Sequence, residues 1–182
     1  MNTAVAKFTV DEYHRIVQSG VLDDRRVELL NGLIVEMAPE GIPHAYYSDE
    51  SGSYLERLLG DRVKVREGKP ITLPNDSEPE PDIAVVKPLG AVYLQHHPYP
   101  EDIYWLIEYS NSSLAKDTTD KVKIYAMAGI PEYWVVDLKD KSLIVFREPV
   151  GEAYQQMNRL TEGEIAPLAF PDVRISVLRL MS

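Results

Sequence analysis

Three apolar runs that do not alternate constrain this chain most: Ile83–Val86, Ile103–Ile107 and Tyr133–Val136. A half-buried strand alternates apolar with polar, so an unbroken run of this length predicts a strand covered on both faces. The first two runs each carry a carboxylate at one end. Asp82 precedes the first and Glu108 follows the second. Adjacent strands of one sheet would bring these two acids to the same edge.

The 182 residues suffice for one domain with a real core, and no repeat, low-complexity tract or linker divides them. The expectation is a single domain over 1–182. Without cysteine, disulfides, thiolate zinc sites and a cysteine nucleophile are excluded. No apolar run approaches the ~20 residues of a membrane span, and the N-terminus lacks the apolar core of a signal peptide. The expected location is the cytoplasm. The formal net charge of −10 argues against a nucleic-acid coat protein, which needs a broad basic face. It weighs less against an enzyme that gathers acid at a metal and needs only a local basic rim.

Taken in order, Thr9-Val10-Asp11-Glu12 has the form of a capping box and predicts a helix to about Gln18. His14 on that helix reads as a surface histidine. Asn31-Gly32 between two apolar runs predicts a hairpin in which Leu30 pairs with Leu33 and Glu28 with Val35. Glu28 then shares a face with apolar side chains. Either that face borders a polar site or the hairpin is an exposed edge. A helix is expected over 43–59, with His44 near its start. That histidine could touch a phosphate, although capping or packing is the plainer reading. Strands are expected at 62–67, 71–73, 142–147, 153–160 and 173–179, and a helix at 114–128, with Asn111-Ser112-Ser113 supplying its loop and cap. Gly129 and Pro131 stop that helix. The adjacent His96 and His97 have no third ligand at useful spacing, so they make a weak zinc site.

The helix over 114–128 holds the anomaly. At about 100° per residue, Leu114, Val122, Ile124, Tyr125 and Ala128 define its apolar face. Lys121 lies near the middle of that face, with Asp117 one turn earlier. Lys123 falls on the opposite side with Lys116 and Thr119. An inward lysine must meet a carboxylate, a phosphate or water. A plain Asp117–Lys121 pair would satisfy it. The converging Asp82 and Glu108 offer more. Two such carboxylates repel unless a cation lies between them or one takes up a proton. Mg²⁺ suits them, with Mn²⁺ as a substitute, and the backbone carbonyl of Tyr109 could complete the protein's ligands. Lys121 would then offset charge developing on phosphorus.

These stretches resemble a known family. Arg26–Gly32, Pro79–Val86, Ile107–Leu114, Asp117, Lys121 and Tyr125–Asp137 are similar to the Uma2 family of restriction endonucleases, roughly from Phe8 to Asp172. The resemblance implies the PD-(D/E)XK nuclease fold. This is an α/β (α+β) architecture in which a mixed sheet is flanked by helices, here with an N-terminal helix and a β-hairpin. It implies catalytic Asp82, Glu108 and Lys121, a metal held by Asp82, Glu108 and the Tyr109 carbonyl, and support from Glu28, Asp117 and Tyr125. The superfamily lysine is expected two residues after the glutamate, where this chain has Ser110. In the Uma2 family it has moved to the following helix, at Lys121. The implied activity is Mg²⁺-dependent hydrolysis of DNA phosphodiesters, with a homodimer supplying two sites for double-strand cutting. The alternatives are a non-catalytic nuclease fold used for binding or assembly, and a phosphodiesterase acting on RNA or a small nucleotide.

Overall fold

The computed structural model describes residues 4–74, 76–111 and 114–182, and only the backbone of Lys116. Its centre is a six-stranded mixed sheet. The strands are β3 (Lys64–Glu67), β4 (Ile83–Val86), β5 (Ile103–Ser110), β6 (Glu132–Asp137), β7 (Ser142–Val150) and β8 (Ala153–Leu160), in that spatial order. Every neighbouring pair is antiparallel except β5 and β6. That parallel pair requires a crossover, and α3 (Leu114–Met127) makes it. The three apolar runs are β4, β5 and β6, and every residue of Ile83–Val86 is fully buried.

Helices cover both faces, as unalternated strands demand. On one face lie α2 (Ile42–Leu59), through Leu55 and Leu59, and the C-terminal segment, through Phe170, Val173, Ile175 and Leu180. These pack against Val85, Trp105, Ile107 and Trp134. On the other face Ile124 and Tyr125 of α3 pack on Leu106, Tyr133 and Val135. A hairpin, β1 (Val27–Leu30) with β2 (Leu33–Glu36), adds Leu30 to that second core.

The hairpin has the expected register, Leu30 with Leu33 and Glu28 with Val35. Asn31 and Gly32 both adopt positive φ, 49° and 79°, as a two-residue turn of this hand requires. A side chain at Gly32 would also strike Lys7 Cβ at 2.8 Å. The capping box is present at Thr9 and Glu12 and opens α1 (Val10–Gln18).

Three boundaries differ from expectation. Residues 71–73 form no strand: Leu73 makes an isolated bridge to Ser77, while the Ile71 and Thr72 amides donate to Pro79 and Pro98 carbonyls. The flanking Pro70 and Pro74 limit any ladder there. Strand β3 begins at Lys64, because Gly60–Arg62 is a turn of 3₁₀ helix. The stretch 173–179 supplies only a short strand at Ile175–Ser176, followed by a 3₁₀ turn at Leu178–Leu180. Val173, Ile175 and Val177 alternate inward as a strand would, but the chain bends to close over the sheet. Ser112 and Ser113, the expected cap of α3, lie outside the described residues.

Candidate active site

In the antiparallel β4–β5 pair, Ile83 lies opposite Ile107. One step further along the same register puts Asp82 opposite Glu108. By strand alternation Asp82 falls with Ala84 and Val86, and Glu108 with Leu106, on the face that α3 covers. The two expected carboxylates therefore meet at one edge.

Glu108 is 3% exposed. Its Oε1 accepts from Lys121 Nζ at 2.7 Å and from the Tyr125 hydroxyl at 2.8 Å. Lys121 is 6% exposed, whereas Lys123 stands in solvent, so the helical register read from the sequence holds. Asp117 is buried one turn before Lys121, and its backbone carbonyl accepts from Tyr133 of β6, which ties α3 to the sheet.

The electrostatics show more acid than one lysine can balance. Burial pushes the Glu108 carboxyl up, to about 8, and neighbouring Asp82 and Asp117 add to it against the pull of Lys121. Burial alone would lower the Lys121 pKa. Glu108 first, then Glu28, Asp117 and Asp82, outweigh it and hold the ammonium charged. Burial thus leads the rise at Glu108, while the surrounding acids lead it at Lys121. Tyr125, wholly buried and facing Glu108, is pushed well above its ordinary value and stays a donor.

Glu28 is 1% exposed, and its Oε2 accepts from the Glu80 amide at 3.3 Å. Of the two readings of the hairpin face, the structure has the one that borders a polar site: Glu28 acts electrostatically on Lys121 and Tyr125. Asp82 is gripped from two elements. Its Oδ2 accepts from the Tyr109 amide at 2.6 Å, and its Oδ1 pairs with His44 Nε2 at 2.9 Å. Burial pulls the His44 imidazole down, but the hydrogen bond and charge of Asp82 win, helped by Glu40 and Asp117, and raise its pKa. The sequence marks His44 only as a packing or phosphate-contacting residue. Its partner lies 38 positions away, beyond any helical spacing.

His14 likewise does more than face solvent, pairing with the buried Glu78 at 2.7 Å. Thr72 also donates to Glu78, and this cluster fastens α1 to the segment before β4.

Among the described residues no three His, Cys, Asp or Glu side chains converge as a ready-made metal cage. The donor chemistry nonetheless fits Mg²⁺. That ion takes oxygen ligands, keeps several waters, and is commonly held by one or two carboxylates. Asp82, Glu108 and the Tyr109 carbonyl supply such a set of oxygens.

No helix among the described residues is long and apolar enough to cross a membrane. A search of curated proteins finds no match. A solved structure from Anabaena variabilis, described as "a putative nuclease belonging to DUF820", shares the fold with a TM-score of 0.71 and 19% identity, over 96% of this chain and 97% of that one. The Uma2 family model, described as "Putative restriction endonuclease", matches residues 10–178.

Proposed function

Since the chain belongs to the Uma2 family, we propose that it is a Mg²⁺-dependent endonuclease hydrolysing phosphodiester bonds of DNA. The observation that carries this reading is the buried Lys121 ammonium, 2.7 Å from a glutamate that stands across a strand pair from Asp82. A lysine costs several kcal/mol to bury unless paired. An isolated ion pair would satisfy it with one acid, yet Glu108, Glu28, Asp117 and Asp82 all act on it.

Asp82, Glu108 and the Tyr109 carbonyl would hold the metal. When bound, Mg²⁺ activates water toward phosphorus and neutralises phosphate charge. Lys121 places a fixed positive charge where negative charge grows on the phosphoryl oxygens. Tyr125 donates to the same Glu108 oxygen as Lys121 and so sets the orientation of that carboxylate. Glu108 first, then Glu28 and Asp117, keep the ammonium protonated. A homodimer would offer one such site to each DNA strand.

Plasmid nicking with Mg²⁺ or Mn²⁺ tests the reading. Wild type should convert supercoiled DNA to nicked and linear forms, and Asp82→Ala should not. Equal activity in both would sink it, and inactivity of both on DNA with turnover on RNA would move the substrate class. Sedimentation showing only a ~21 kDa species at micromolar concentration would remove the dimer.

A further inference from the structure

We propose that His44 is a positioning residue, fixing the Asp82 carboxylate in the orientation that faces Glu108, and that α2 thereby sets the geometry of the site. The inference rests on the reading of Asp82 as a metal ligand.

A carboxylate at the mouth of a strand has two rotatable bonds and, at 16% side-chain exposure, room to turn. Here one oxygen is held by the Tyr109 amide of β5 and the other by His44 of α2. An ionised carboxylate only accepts, so His44 Nε2 carries the proton of that bond. Two donors from separate elements fix the carboxylate plane, which one donor would leave free to swing. The Tyr109 amide belongs to a central strand and cannot be adjusted. His44 is the side chain that completes the grip.

His44 is held in turn. It lies in the first turn of α2, after Gly41 as cap and Pro43 at the helix start. The middle of α2 is pressed to the sheet through buried Ser51, Gly52 and Leu55. Gly52 comes so close to Glu67 of β3 that a Cβ there would collide with the carboxylate. From Gly52 to His44 is roughly 12 Å of helix, at 1.5 Å per residue. Leu55 and Leu59 in the core seat the helix whose first turn carries the imidazole. The fully buried Tyr109 ring, 6.2 Å from the His44 ring, backs the arrangement.

Mn²⁺ alone is titrated by calorimetry into wild type, His44→Ala, His44→Gln and Asp82→Ala. The amide proton of Tyr109 is followed by NMR in the metal-free proteins. Asp82→Ala should abolish binding. His44→Ala should weaken it about 10–100-fold, the usual effect of removing a group that orients a metal ligand. Its Tyr109 amide proton should move upfield as the Asp82 bond loosens. His44→Gln, whose amide nitrogen reaches the place of Nε2, should restore both signals. Wild-type affinity and an unmoved Tyr109 amide in His44→Ala would overturn the inference, as would a Gln variant as damaged as Ala at equal melting temperature. If Asp82→Ala binds Mn²⁺ like wild type, the metal reading falls by itself. The Tyr109 amide in His44→Ala then decides the positioning role, sustained if it moves and overturned if it does not.

Discussion

Lys121 and Lys123 have the same charge and stand two residues apart, yet about 200° of helix separates them. One lies 2.7 Å from Glu108 and the other in solvent. Lys121→Ala should lower nicking rates by about 10²–10³, the effect of losing one preorganised charge-stabilising donor. Lys123→Ala should be silent in the same assay. Lys121→Met retains the aliphatic stem and should be as inactive as the alanine variant, which separates charge from packing. Damage confined to Lys123→Ala would remove the lysine assignment. A different residue tests the fold. Glu132 is fully buried and accepts from Trp134, from two nitrogens of Arg147 and from the Leu168 amide. Glu132→Ala leaves the half-buried Arg147 guanidinium with the Ala166 carbonyl in place of its carboxylate, so denaturant unfolding should show a loss of about 3–5 kcal/mol.

Elements differ in how plainly the sequence announces them. The hairpin is legible because Asn31-Gly32 admits the positive φ that its turn needs. Gly32→Ala should cost about 1–3 kcal/mol in thermal or denaturant unfolding, from strained backbone and the collision with Lys7. The strands β4, β5 and β6 are legible because burial on both faces leaves no alternation. Helix α3 gave up Lys121 because one charge on an apolar face breaks a period of 3.6. The segment 71–73 misleads because its apolar residues are buried as a strand's would be, while its amides reach separate loop carbonyls. His44 and His14 were legible as residues and not as partners. Their acids lie 38 and 64 positions away, and no local pattern carries a contact formed only when the sheet closes.

At the scale of the molecule, several groups shift together. His44, Glu67, Glu80 and Glu108 all have raised pKa values, the glutamates chiefly from burial and His44 from Asp82 outweighing burial. Each holds more protons folded than unfolded above its ordinary pKa, so the stability it contributes is lost as pH rises through its folded value. For Glu108 that window runs from about 4.5 to about 8. His97, shifted the other way, opposes them. The metal-free protein should therefore melt lower at pH 8 than at pH 5.5 in a calorimetric scan. A divalent cation bound at the proposed site would displace the Glu108 proton, so Mn²⁺ should raise the melting temperature more at pH 8 than at pH 6. A rise independent of pH would contradict the Glu108 assignment.

Glu132 also bears on how the chain is made. The residues it needs arrive late: Arg147 follows by 15 positions and Leu168 by 36. On a ribosome adding about 5–20 residues per second, seconds pass between the appearance of Glu132 and that of its last donor. Trp134 and Arg147 serve one Glu132 oxygen, and through that interval the other still lacks its Leu168 donor. Yet β6 is the strand whose Tyr133 ties α3, and with it Lys121, over Glu108. Every residue assigned to the site has been synthesised before the scaffold that orders it is complete. A nascent chain stalled before Leu168 would thus carry every residue of the candidate site while Glu132 still lacks its last donor.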